Sequence, residues 1–551
     1  MVSATKHKMT REEKKVIFAS SLGTVFEWYD FYLYGTLAAV IGKQFFTGAT
    51  PAAQFIFSLL AFAAGFAVRP FGAIIFGRLG DLAGRKYTFL ITIILMGAST
   101  VLIGFLPNYS TIGIMAPILL ITLRLIQGLA LGGEYGGAAT YVGEHAPKGR
   151  RGEYTSWIQI TATLGLFLAI LVILACRLGL RDHSVEPAHM DDAFNSWGWR
   201  IPFLVSALLL AISVWIRLEL NESPVFVKMK KENKGSKTPL KDSFTKWPNL
   251  KLVILALFGL TMGQAVIWYG GQFYALLFLT QTVRVDPITA NLLVALALLL
   301  ATPFFIFFGW LSDRIGRKWI ILTGCLIAAV IYFPTFKALT HFANPALEQA
   351  VATSPVVIKS DPANCSSQFD PTGGVKFTSS CDTATSFLAK RGVPYTKQDG
   401  EAGSGAVVLI AGKEIPSYDQ TDANAKELGA KFTADLGGAL NEAQYPLTAD
   451  PNAINYPMVL LLLWILVMLV AMVYGPIAAL LIDMFPMKIR YTSMSLPYHI
   501  GNGWFGGFLP FIVFSIVVAT GDVYSGLWYP VIIALITLVI GALFIREGKE
   551  E

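Results

Sequence analysis

Apolar residues along this chain neither alternate nor recur every three or four positions against a polar face. They come in blocks of about 20, parted by short charged loops. A helix of that length crosses about 30 Å of hydrocarbon. Twelve spans are predicted, near 17–41, 54–77, 87–106, 113–143, 154–177, 199–219, 252–281, 287–311, 319–340, 456–482, 493–519 and 523–545. The first follows a basic stretch from Lys6 to Lys15. Its apolar run is too long for a signal peptide and holds Glu27 and Asp30, which marks a retained helix. Composition points to lipid as the solvent: 54% of residues are hydrophobic and 14% charged, against about a quarter charged in soluble domains. The expected fold class is an all-α membrane protein.

The chain also repeats itself. GRLGDLAGRK (Gly77 to Lys86) returns as GWLSDRIGRK (Gly309 to Lys318), each copy between the second and third helix of a six-helix set. EHAPKGRR places Glu144 seven residues before Arg151, and DMFPMKIR places Asp483 seven before Arg490. These second marks lie much further apart than the first pair, so the second half has gained a block. The expected organisation is a six-helix half over 1–219, a linker over 220–251 and a second half over 252–551, interrupted by an insert at 342–455.

The insert is polar and long enough for a small folded domain. A strand is predicted over Gly405 to Ile415 and a helix over Ala423 to Glu442. Cys365 and Cys381 lie in it, either as a disulfide or as two free thiols. Cys176 and Cys325 sit in apolar helices and read as packing.

Charge sets the expected orientation. With both termini inside, the inner segments hold 27 of the 43 Lys and Arg residues, and the short outer loops hold five (Lys43, Arg177, Arg181, Arg200 and Arg284). The net charge of +7 is then mostly a topology signal, and no basic soluble face suggests nucleic acid. The expectation is a multi-pass protein of the cell inner (plasma) membrane, monomeric, with both termini cytoplasmic and the insert outside.

Both ten-residue loops match the G-x-L-x-D-x-x-G-R-K signature of the major facilitator superfamily. TVFEWYDFYLYG (Thr24 to Gly35), RPFGAIIFGRLGD (Arg69 to Asp81), RLIQGLALGGEYGG (Arg124 to Gly137) and GWRIPF (Gly198 to Phe203) resemble its metabolite:proton symporter family. That resemblance implies proton-coupled carriers of organic acids or zwitterionic osmolytes, and twelve helices in two pseudo-repeats. It also implies gating latches: Asp81 and Arg85 with Glu144 and Arg151, and Asp313 and Arg317 with Asp483 and Arg490. Static stapling of the helix ends is the plainer alternative. The insert departs from the family pattern.

Ionisable groups inside hydrocarbon are costly, so each is a functional candidate. Glu27, Asp30 and Glu134 are candidates for proton coupling. Arg124, and after it Arg69, are candidates for a substrate carboxylate, which a guanidinium fork can hold with two parallel hydrogen bonds. By rise along the helix, Arg69 and Glu134 come out at similar depth, whereas Asp30 reaches Arg124 only with the help of tilt. Tyr29, Gln127, Gln264, Trp268, Tyr498, His499 and Asn502 are further candidates for lining a substrate site, with Tyr269, Tyr274 and Tyr474 beside them. The alternative is that the charges neutralise one another as structural pairs.

GNGWFGG (Gly501 to Gly507) matches a dinucleotide-binding pattern but has no preceding strand, and reads as close helix packing. The six histidines show no ligand spacing, so no metal site, cofactor or catalytic constellation is expected. Three readings result: a proton-coupled importer of a small organic acid, an osmolyte carrier for proline or betaine, and a non-transporting nutrient sensor that uses the insert.

Overall fold

The computed structural model describes residues 11–47, 51–83, 85–133, 135–147, 149–186, 189–218, 238–366, 377–486 and 489–546. Twelve long helices form the body. Helices 1 to 6 are Arg11–Thr36, Gln54–Phe76, Arg85–Phe105, Met115–Gly132, Arg151–Leu180 and Arg200–Leu218. Helices 7 to 12 are Trp247–Thr282, Pro287–Ile315, Arg317–Ala343, Tyr456–Met484, Thr492–Thr520 and Ser525–Phe544. Nine of these are long and apolar enough to cross a bilayer among the described residues. Helices 3 and 6 hold shorter apolar runs, and helix 1 carries buried Glu27 and Asp30. Large apolar side chains such as Phe105, Val330 and Leu543 stay exposed on the outside of the bundle, where lipid rather than water suits them.

Helix 1 packs on helix 5, helix 3 on helix 6, helix 8 on helix 10, and helix 9 on helices 10 and 12. The halves meet where helix 5 crosses helix 8 and helix 2 crosses helix 11. Small residues permit the approach. A Cβ on Gly309 would lie 2.6 Å from the Gly152 carbonyl oxygen, and one on Gly503 would lie 2.8 Å from that of Phe66. Helix 7 is underwound into π geometry at Leu257–Thr261, Tyr269–Tyr274 and Phe278–Thr282, as is helix 11 at Gly501–Gly507. Such bulges turn neighbouring side chains toward one side and recur at functional sites. GNGWFGG is thus a helical packing element against Phe66, Thr261 and Tyr269.

The segment between helices 9 and 10 folds around a core of its own, including Val356, Ile358, Leu388, Val408, Phe432 and Leu436. It holds a four-stranded sheet in the order β2-β1-β3-β4, with β1 Val356–Ser360, β2 Tyr395–Asp399, β3 Val407–Ile410 and β4 Lys413–Pro416. Strands β1 and β2 are parallel, and β3 is antiparallel to both β1 and β4. Helix Ala425–Glu442 lies close to its predicted position. The predicted single strand from Gly405 to Ile415 is instead a hairpin. Ala411 and Gly412 take φ of 48° and 76°, the pair of positive values that a two-residue turn of this hand requires. Cys365 and Cys381 form a disulfide, with their Cα atoms 5.1 Å apart, tying the loop after β1 to helix Ser380–Lys390.

Candidate functional site

The charges of helices 1, 2 and 4 converge in the middle of the bundle. Arg69 and Arg124 are fully buried, and both guanidinium groups stand against the Phe31 ring, 4.5 Å and 4.3 Å from its centroid. They are therefore within about 9 Å of each other, where two unit charges repel by about 2 kcal/mol at an effective dielectric of about 20. Arg124 donates to the Gln127 side-chain oxygen at 2.6 Å, and Gln127 donates to the Thr100 hydroxyl at 2.7 Å. Thr100 and Ser206 lie beside the Asp30 carboxyl, which is 4% exposed and keeps Oδ1 without a hydrogen-bond partner among the described residues. Thr100 and Gln127 thus stand between Asp30 and Arg124, with the Thr100 hydroxyl donating to the Met96 carbonyl at 3.0 Å, whereas the sequence allowed an approach only by side-chain length or tilt.

Arg69 differs from Arg124. Its Nε, Nη1 and Nη2 have no hydrogen-bond partner among the described residues, and its plane rests on aromatic faces, 3.9 Å from the Phe66 centroid and 5.1 Å from that of Trp28. Around it stand tyrosines of both halves: Tyr32 from helix 1, Tyr269 from helix 7, Tyr474 from helix 10 and Tyr498 from helix 11. Arg124 lacks a partner among the described residues only at Nε, so Arg69 is the more open of the two arginines. Glu134, its expected partner, lies outside the described residues. Glu27 is buried on the same helix as Asp30.

The remaining candidates separate by what their polar atoms touch. Gln264 and Asn502 exchange two hydrogen bonds of 3.2 and 3.1 Å and brace helix 7 to helix 11. Tyr29 donates to the Pro202 carbonyl at 2.7 Å, a contact with helix 6. Trp268 Nε1, both ring nitrogens of His499 and both amide atoms of Gln272 are buried without hydrogen-bond partners among the described residues.

The sequence did not point to Tyr32, which stacks between Trp28 and Trp268 at 5.3 and 5.2 Å and so ties the halves together. It also passed over Tyr135, stacked face to face on Tyr498 at 3.5 Å, with Gln159 donating to its hydroxyl at 2.9 Å. Tyr498 and Tyr474 share a hydrogen bond of 2.7 Å, which completes a chain of polar rings across the interface. Tyrosines are common in spanning helices, so only their packing marks these.

At one end of the bundle the repeated loops form a latch, which includes the expected pairing of Arg317 with Asp483 and adds one across the halves. Arg151 of the first half pairs with Asp483 of the second, and Asp483 also takes Arg317. Asp313 accepts the backbone N–H groups of Gly152 (2.7 Å) and Glu153 (2.9 Å) and pairs with Arg317 at 2.8 Å. A carboxylate from helix 8 therefore caps the first turn of helix 5, satisfying two orphan donors at the positive end of its dipole. Arg490 donates to the Phe485 carbonyl. The side chains of Asp81, Arg85 and Glu144 lie outside the described residues. The insert sits at the opposite end.

Comparison with known proteins agrees with this architecture. Residues 15–251 match the family model described as sugar (and other) transporter. The chain is 37% identical to the shikimate transporter of Escherichia coli strain K12 over 332 residues, covering 59% of this chain and 72% of that protein. It is 34% identical to the alpha-ketoglutarate permease of the same strain, covering 61% and 74%, and 35% identical to its proline/betaine transporter, covering 59% and 64%. In fold it is similar to the xylose transporter XylE from E. coli in a partially occluded inward-open conformation, with a TM-score of 0.59, 14% identity, and coverage of 98% and 100%. The chain belongs to the major facilitator superfamily and is one of its metabolite transporters.

Proposed function

We propose that the protein imports a small organic acid, of the dicarboxylate or ketoacid kind, together with protons, by rocking its two halves about the Arg69–Arg124 site. The observation that carries this reading is Arg69, a buried guanidinium whose three nitrogens have no hydrogen-bond partner among the described residues, facing tyrosines of both halves. A buried cation needs a counter-charge, and a bidentate carboxylate supplies it. An acid with two carboxylates also relieves the repulsion between Arg69 and Arg124. The shikimate and alpha-ketoglutarate relatives act on acids, in keeping with that chemistry.

Asp30 supplies the coupling. Its carboxyl lies beside Thr100, whose hydroxyl accepts from Gln127, the partner of Arg124, so a proton on Asp30 changes the charge beside that row and leaves Arg124 free for substrate. The latch end, rich in Lys and Arg along the sequence, faces the cytoplasm in this reading, and the insert faces outward. The formed latch then corresponds to a state closed toward the cytoplasm.

A second reading has an observation of its own. The stack of Trp28, Tyr32 and Trp268 is a surface on which a quaternary ammonium could rest, which suits a betaine-like osmolyte. Counterflow in proteoliposomes with internal pH recorded separates the two readings. Acid accumulation with proton entry is expected, lost in Asp30→Asn and reduced at least tenfold in Arg124→Lys. Wild-type proton-driven uptake in both variants ends the proposal.

A further inference from the structure

Between the insert and the outer ends of the helices lies a cavity of about 2040 Å³. Both halves and the insert build it. Helix Ser380–Lys390 of the insert leans on helix 2, and Phe377 meets Phe57. On the other side, Tyr395 donates from its hydroxyl to Val518 and from its backbone N–H to Gly521, both at the end of helix 11. Ala449 donates to the Arg284 carbonyl in the loop between helices 7 and 8. Arg284 is held there at φ 67°, a left-handed backbone that a residue with a side chain adopts only under constraint.

The lining holds six basic and three acidic side chains. Arg177 and Arg181 are already matched, pairing with Asp191 and, for Arg181, with Asp286 at 3.6 Å. Lys43, Arg284, Lys390 and Arg391 have no ion pair among the described residues, and only Glu186 remains opposite them in the lining. These four gather from three separate parts of the chain. Burial first, and then the repulsion of Lys390, Arg284 and Arg177, holds the Lys43 ammonium below its ordinary pKa. Burial followed by the repulsion of Arg391 does the same to Arg284. Lys43 and Lys390 are exposed and Arg284 and Arg391 part-buried, so the four present an open basic surface to an incoming anion.

We propose that the insert roofs an antechamber that collects small organic anions, carboxylates above all, at Lys43, Arg284, Lys390 and Arg391 before they pass between the halves. This inference rests on the organic-acid reading. A concave site lined by one sign of charge raises the local concentration of the opposite ion and its on-rate, by 10-fold or more in favourable cases. The insert contributes Lys390 and Arg391, and its seam with helices 2 and 11 holds them over the opening. The antechamber acts on capture alone, since none of its charges touches Arg69 or Arg124.

The test measures initial rates of acid uptake by the full-length protein in proteoliposomes, from the insert side and from the latch side, at low and high ionic strength. In the Lys390→Gln/Arg391→Gln variant, KM from the insert side is expected to rise about threefold to tenfold at low salt with Vmax retained. The gap closes at about 0.5 M salt, and KM from the latch side stays unchanged. Lys43→Gln, which leaves the insert intact, raises KM in the same direction by a smaller factor. Lys413→Gln, an exposed insert residue outside the cavity, leaves it unchanged. Equal KM for wild type and both cavity variants at low salt overturns the antechamber. So does a fall in Vmax alone, which would make the insert a structural prop. A wild type that carries zwitterions and no acid defeats the organic-acid reading instead, so the two failures are distinguishable.

Discussion

Asp313 offers the sharpest handle on alternation, because it holds the end of a helix that belongs to the other half. Its carboxylate accepts from Gly152 and Glu153 at 2.7 and 2.9 Å in a setting where Asp313 is only 4% exposed. Hydrogen bonds to a charged group contribute about 1.5–3 kcal/mol each. Water recovers part of that once the halves separate, so removing both shifts the latch equilibrium by about 3 kcal/mol. At 1.4 kcal/mol per decade this is about a 100-fold change in favour of the open latch. Asp313→Ala should therefore move a population held mostly closed at this end to one mostly open. Spin labels at Tyr87 and Ile315, exposed positions of the first and second half, report the separation in a background lacking Cys176 and Cys325. Pulsed electron resonance should show a longer distance component that dominates in Asp313→Ala and grows partway in Asp313→Asn. Distance distributions indistinguishable from wild type in both variants would refute the latch.

Three further outcomes follow from other contacts. Gly309→Leu should open the same end without touching a charge, since even a Cβ there meets Gly152 and Ser156 within 2.8 Å; overpacking of this kind costs about 1–3 kcal/mol, and the shift should be insensitive to salt. Cys381→Ser should lower the stability of the insert by about 3 kcal/mol, seen as faster proteolysis between helices 9 and 10 while helix content is retained. The backbone N–H groups of Gly403 and Ala363 hold the Asp361 carboxyl below its usual pKa, so its contribution is present above the ordinary value of about 3.9 and is lost as pH falls through the lower folded value. Reduction of the neighbouring disulfide by a water-soluble phosphine should accordingly be faster in Asp361→Asn than in wild type above pH 4, with the ratio falling to one in stronger acid; a ratio that ignores pH would contradict this.

The helical frame was legible because hydrocarbon demands long apolar blocks, and because the repeated loops fix which blocks correspond. The inserted segment was legible from the unequal spacing of the same marks. The pairing across the halves was not: the duplication offers Arg151 and Arg317 equivalent carboxylates, and only the packing of helix 5 on helix 8 brings Arg151 to Asp483. Helical rise placed Asp30 and Arg124 at different depths, with Thr100 and Gln127 between them, and nothing in the spacing of those two polar residues announces that placement. Tyr32 and Tyr135 were passed over because an aromatic residue in a spanning helix has many ordinary uses. The hairpin at Ala411 and Gly412 was hidden since Ala, unlike Asn or Asp, is a poor signal for positive φ.

The central claim is that Arg69 binds the substrate carboxylate, and binding of an organic acid to the purified protein tests it most directly. Calorimetric titration with 2-oxodicarboxylates and hydroxy acids should show one site in wild type and at least a 100-fold weaker one in Arg69→Gln, with Arg69→Lys in between, since an ammonium restores charge but not the fork. Wild-type affinity for the acid in Arg69→Gln would contradict the account.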